Sequence, residues 1–299
     1  MSLELNRGLK EVIASRLMLL ITALSSMLIF FMILGLFLRS RPILATQSLS
    51  ELLLSSSWHP LRGDFGFYPF ILGTLWVTVL AMLFSIPSCL LSSIYLTEYA
   101  SAKIRAVIKP LIDLLAGIPS VVYGLWGILV VVPLIKNQIA PFFGYTSSGY
   151  CLLTGGIVLA IMVFPVLISV SDEVFRAVPY ELREISLALG ATRWQTVKHV
   201  TVRAALPGII AAIVLGFSRA FGETMAVMMV VGNVPQIPSS IFQPAYPLPA
   251  LIANNYGEMM SIPLYDSALL LAALFLLLIV LFFSVGARIV LLRIERRLI

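Results

Sequence analysis

Six long apolar runs alternate with polar stretches along the chain: Leu17–Leu38, Tyr68–Leu96, Leu111–Ile135, Tyr150–Val170, Pro207–Val231 and Ala268–Ala287. A helix needs about 20 apolar residues to cross a bilayer, and most of these runs reach that length. They are continuous rather than alternating, which excludes the strands of an outer-membrane barrel. The pattern predicts an all-α integral membrane protein with six transmembrane helices. The first run has 22 residues and no clear small-residue cleavage site, so it is expected to remain as a helix. The predicted organisation is a terminal segment 1–16, a first span with its outer loop over 17–67, a core over 68–287 and a basic tail over 288–299. The core contains a polar loop, 171–206, and a proline-rich outer loop, 232–267.

The longest charged stretch lies between the fourth and fifth runs and reads PYELREISLALGATRWQTVKHVTVRAALP, Pro179 to Pro207. Leu182, Ile185 and Leu189 fall on one helical face, with Arg183 and Glu184 outside it. Gly190 then breaks the pattern, as a glycine just past a helix end does. A second short helix is expected from about Thr192, with Trp194, Val197 and Val200 on its apolar side, so Trp194 is expected to pack where loop meets spans. Pro179 suits the first turn of the first helix, and Pro207 the start of the next span. Two short amphipathic helices with a glycine elbow read either as a solvated hairpin or as a docking element for a soluble partner.

Three spans carry irregularities. Pro87 in the second run is expected to kink its helix. Gly117, Pro119, Gly124 and Gly127 in the third run point either to tight helix packing or to a bent helix lining a pathway. Asp113, near one end of that run, is expected at the interface. In the fifth run Arg219 lies roughly 18 Å past Pro207 at helical rise, near mid-membrane, with Glu223 at i+4 on the same face. A charge there costs several kcal/mol, so the two read as pathway residues or else as a structural ion pair. The outer loop 232–267 has no Lys or Arg and six prolines, which rule out one continuous helix; Ala250–Met260 is its one expected short helix.

Composition adds orientation. With 60% hydrophobic and 11% charged residues and a mean hydropathy of +1.03, membrane insertion is the dominant constraint. The net charge of +6 invites a nucleic-acid partner, but its placement argues against one. Arg7, Lys10 and Arg16, then Lys103, Arg105 and Lys109, then Arg176, Arg183, Arg193, Lys198 and Arg203, then Arg288, Arg293, Arg296 and Arg297 all fall on one side of a six-span topology. That is the positive-inside pattern, and it predicts cytoplasmic N- and C-termini. Cys89 and Cys151 lie near opposite ends of different spans and His59 and His199 are isolated, so neither a disulfide nor a metal site is expected. No phosphate-binding loop or hydrolase motif occurs, and any ATP hydrolysis would belong to another chain.

Glu184-Ile185-Ser186, three residues, Gly190, nine residues, then Val200-Thr201-Val202-Arg203 resembles the EAA loop of ABC-importer permeases. That pattern is Glu-Ala-Ala, three residues, Gly, nine residues, Ile-x-Leu-Pro. Arg203 stands where the family has its proline, with Leu206-Pro207 close by. The stretches YPFILGTLWVT, LLAGIPSVVYG, LREISLALGATRWQT and SRAFGETMAVMMVVGNVPQIP extend the resemblance over most of the chain, to the PstC family of phosphate permeases. PstA-like permeases share an R-x-x-G-E-T core, but GETMAV followed by Gly-Asn-x-Pro is nearer to PstC.

The resemblance implies the type I ABC-importer permease fold in the inner (plasma) membrane of a prokaryote. It implies a PstA-like sister permease, a PstB-like ATPase pair holding ATP and Mg, and a PstS-like phosphate-binding protein as partners, with no cofactor in this chain. Glu184, Gly190, Ala191, Arg193 and Trp194 would couple to the ATPase, and Arg219 and Glu223 would line the phosphate pathway. Permeases for sulfate, molybdate or phosphonate are alternatives within the class. A secondary transporter or channel, or a membrane-embedded sensor scaffold, are alternatives outside it.

Overall fold

A computed structural model describes residues 2–258, 262 and 264–298. Among the described residues six helices are long and apolar enough to cross a membrane, and the chain is a multi-pass membrane protein. The first, α1 (Ser2–Thr46), leads through a short helix α2 (Leu49–Leu54) into a two-stranded hairpin, β1 (Trp58–His59) and β2 (Asp64–Phe65). Next come α3 (Tyr68–Ile94), closed by a π turn at Tyr95–Tyr99, and the amphipathic α4 (Ala102–Gly117). The remaining spans are α5 (Ser120–Phe142) and α6 (Leu152–Ala177), then, beyond the loop helix α7 (Tyr180–Ala188), α8 (Arg193–Phe221). Two short helices, α9 (Met225–Val230) and α10 (Leu248–Asn255), precede α11 (Tyr265–Leu298).

Two predicted spans need correcting. The run Leu111–Ile135 is not one helix. Ile118 precedes a proline and is driven to φ −69°, ψ 128°, so α4 stops there and the span proper begins at Ser120. Asp113 therefore sits on α4, exposed and outside the span. The run Pro207–Val231 fails at both ends. Pro207 lies inside α8, which starts at Arg193, and the helix ends at Phe221 before a break over Gly222–Thr224. The predicted second short helix of the loop is thus the first turns of this span, joined to the rest through a π turn at Val197–Thr201. Tyr68–Leu96, Tyr150–Val170 and Ala268–Ala287 fall on α3, α6 and α11, of which α6 runs on to Ala177 and α11 to Leu298, and α3 continues through Pro87. In the outer loop the helix is Leu248–Asn255; the expected Ala250–Met260 extends past it, and Met260 lies outside the described residues.

The centre of the molecule is the seam between α3 and α6. Along it Ser85, Cys89, Ser93 and Thr97, each one helical turn apart, donate to Ala160 O, Phe164 O, Ile168 O and Asp172 Oδ1. Every step has the same offset of 75 residues, so the two helices run in the same direction in register. Gly156 permits the approach, since a Cβ there would sit 2.9 Å from Leu80 Cβ. Buried Val77, Ala81, Leu159, Val163, Leu167 and Ala212 fill the space between α3, α6 and α8. A second cluster closes the end opposite the charged loop, with Ile43, Leu52, Phe65, Phe67, Phe70, Leu251 and Tyr265 buried around the ring of Trp58. There Thr74 joins the proline-rich loop to α3, accepting from Leu248 N at 2.8 Å and donating to Phe70 O at 2.7 Å.

Candidate functional site

Two regions hold the residues singled out from sequence. The first is the charged loop. Its glycine elbow is a Schellman motif: Ala191 N–H donates to Ser186 O at 3.2 Å and Gly190 N–H to Leu187 O at 3.0 Å, with Gly190 at φ +84°. Thr192 and Gln195 then form a capping box that starts α8. Ser186 and Thr196 hydroxyls, 2.9 Å apart, hold the two sides of the elbow together.

Arg183 locks this loop to the spans. Its guanidinium donates to Phe175 O and Val178 O, both at 2.7 Å, which caps carbonyls at the end of α6. Through Nε and Nη2 it also reaches Glu98 Oε1 at 3.0 and 2.9 Å. Arg193, across the elbow, donates to the backbone carbonyl of the same Glu98 and lies 4.9 Å over the Tyr99 ring. The opposite face of the loop is open: Ile185 is 58% exposed, Leu189 84% and Trp194 53%. Trp194 therefore does not pack at the joint between loop and spans, because Arg193 and Ser186–Thr196 fill that role. Glu184 is likewise exposed.

The second region surrounds the two helix breaks. Arg219 occupies the last turn of α8, and Glu223 lies beyond the helix end, where its Oε1 accepts from Ala226 N at 3.4 Å at the start of α9. Helical i+4 geometry does not extend across Gly222, so of the two readings of Arg219 and Glu223 the structural ion pair is not formed. Among the described residues the ion pairs are Asp172–Arg176 and Glu98–Arg183. Arg219 is exposed instead. Tyr123 bridges the other break by donating to Leu115 O at 2.8 Å. The glycines of the third run divide by role. Gly117 and Pro119 mark the break, whereas Gly124 and Gly127 are packing positions, where an added Cβ would meet Met229 and Val230 of α9. Tyr123, Leu115, Ile118, Val122, Trp126 and Ile161 line a cavity of about 330 Å³ here.

Sequence patterning missed Glu98, Thr97 and Arg105. Arg105 donates to Leu96 O and Thr97 O, both at 3.0 Å, and so caps the end of α3. These residues lie in a short basic turn that looks like an ordinary interface flank. Only their long-range partners distinguish them. Among the described residues no three His, Cys, Asp or Glu side chains cluster as a metal site requires.

Comparison with known proteins places the fold. The probable ABC transporter permease protein YqgH of Bacillus subtilis is 44% identical over 210 residues, spanning 70% of this chain and 66% of its own length. The phosphate transport system permease protein PstC of Xylella fastidiosa is 38% identical over 257 residues, spanning 81% of this chain and 79% of its own. Among solved structures the MetNI methionine ABC transporter, in an inward-facing conformation, superposes with a TM-score of 0.58 over 74% of this chain and 93% of that one, at 19% identity. The profile described as "Binding-protein-dependent transport system inner membrane component" matches residues 90–299. Both helix breaks, the charged loop and α6 fall inside that match, whereas α3 enters it only at Leu90, and the chain belongs to this family of transport-system membrane components.

Proposed function

We propose that this chain is the permease subunit of an ATP-driven importer of inorganic phosphate in the inner membrane of a prokaryote. The observation that carries the cargo is its similarity, across four fifths of the chain, to a protein named as a phosphate permease. The loop end faces the cytoplasm in this reading, in keeping with the basic residues gathered there. A sister permease of the PstA type completes the pathway, a PstB-like ATPase pair seats on the loop, and a PstS-like protein delivers phosphate from the opposite side. ATP and Mg are held by the ATPase, and this chain contributes no catalytic residue.

The loop's construction supports the coupling role of Glu184, Gly190, Ala191, Arg193 and Trp194. One face is fixed to the spans by Arg183 and Arg193, and the other presents Ile185, Leu189 and Trp194 to a partner. Closure of the ATPase pair would push on that face, and alternating access follows as the spans open to opposite sides in turn. Arg219, free of Glu223 and exposed beside two helix breaks, is placed to meet an anion with a fork of donors. The test is the assembled complex in proteoliposomes, with its ATPase measured against phosphate, sulfate, molybdate and phosphonate. Stimulation by phosphate and accumulation of labelled phosphate are expected; stimulation by another of these oxyanions alone would reassign the cargo.

A further inference from the structure

We infer that Glu98 is the positioning residue that couples the charged loop to the α3–α6 seam, an inference that rests on the proposed transport role. Glu98 lies in the π turn that closes α3, one residue past Thr97, the last donor of the seam. Its carboxylate accepts two hydrogen bonds from Arg183 on α7, and its carbonyl accepts one from Arg193 on α8. Both arms of the Gly190 elbow are therefore tied to a single residue that belongs to neither arm.

That arrangement matters because the elbow is otherwise a hinge. Nothing lies within 4 Å of a Cβ added at Gly190, so the elbow itself is restrained by its backbone motif, the capping box at Thr192 and the Ser186–Thr196 contact rather than by packing. A push on the exposed face would be absorbed by the hinge unless the arms were held to something stiff. The α3–α6 seam is stiff, with four side-chain bonds in register and a glycine-allowed close contact at Gly156. The Glu98–Arg183 pair is shielded, its side chains 10% and 12% exposed, so it resists water and salt better than a surface pair. Loop displacement is thereby carried into α3 and α6 as one body. The ion pair spans 85 residues of sequence, which is why neither partner looks special in its own segment.

The experiment uses the complete complex, co-expressed with its partner subunits and reconstituted, and reads phosphate moved per ATP hydrolysed. Glu98→Gln keeps the shape and removes the charge. It is expected to lower that ratio about tenfold in complexes that assemble. A second variant, Glu98→Cys with Arg183→Cys, is expected to lose the ratio likewise and to regain it when the two thiols are joined by a short bis-maleimide; native Cys89 and Cys151 are buried and stay unmodified. An unchanged ratio in Glu98→Gln, or no recovery on cross-linking, would overturn the inference. Should the wild-type complex hydrolyse ATP without moving phosphate, the cargo assignment fails instead, and the same ratio is read for the anion that it does move.

Discussion

At the scale of single residues, position relative to a helix end decides what a charge can do. Arg219 and Glu223 are four apart in sequence, yet the break at Gly222 sends Glu223 to the first turn of α9 and leaves Arg219 exposed. A guanidinium in that place binds an anion by charge and by geometry together. Arg219→Gln is expected to lower phosphate flux by about 10- to 100-fold, the loss of one strong charge-assisted interaction, with the complex still assembled. Arg219→Lys should recover only part of it, since a point charge lacks the fork. Radiolabel uptake beside size-exclusion profiles separates this from a folding defect. Near-normal flux with poor assembly would make the residue structural. Thr74 shows a purely architectural polar residue. Thr74→Val leaves Leu248 N–H buried without its acceptor, and a stability loss of about 1–3 kcal/mol is expected in thermal unfolding in detergent, without a change in anion preference.

At the scale of elements, glycine and proline set where helices stop, but not always where they stand. Gly190 needs its left-handed φ of +84°, while the space around it is empty. Gly190→Val is therefore penalised by backbone conformation alone, about 1–2 kcal/mol, which a folded loop can survive at a changed angle. The expected outcome is a correctly inserted protein that recruits its ATPase poorly or hydrolyses ATP without transport; intact assembly with coupled flux would rule out the docking role. Pro119 ends α4 through its effect on Ile118, a signal that was present in the sequence as a residue preceding proline. Pro207, by contrast, looks like a helix start and is held inside α8 by tertiary context. The capping box Thr192–Gln195 marks the true start, fifteen residues earlier by number.

At the scale of the whole molecule, the α3–α6 seam is the frame on which both functional regions hang. The charged loop is tied to its end at Glu98, and α8 packs along it through Ala212 and Ala220. Gly156→Leu forces a large side chain into the contact with Leu80 and Ala81. Overpacking costs of about 1–3 kcal/mol are typical, and backbone neighbours that cannot move put this case at the upper end. Reduced yield of folded protein and a lowered unfolding temperature are expected, and wild-type stability would show the seam to be looser than its hydrogen bonds suggest. The first span stands apart from this frame. Residues 13–32 are exposed throughout, and it meets the rest of the chain from Ile33 onward, against α11.

What the sequence determined by itself is what short-range physics controls. Six apolar runs fixed the number of spans, because a bilayer demands about 20 apolar residues whatever surrounds them. The spacing of Leu182, Ile185 and Leu189 and the glycine after them specified a helix and its αL stop, because both depend on neighbours a few residues away. What only the tertiary structure decided is what long-range contact controls. The break after Phe221 separated Arg219 from Glu223; Gly124 and Gly127 became packing positions only once α9 lay against them. Trp194 was left exposed because Arg193 and Ser186 had already taken the inner face. The partnership of Glu98 with Arg183 joins residues 85 apart, and no periodicity within either segment encodes it.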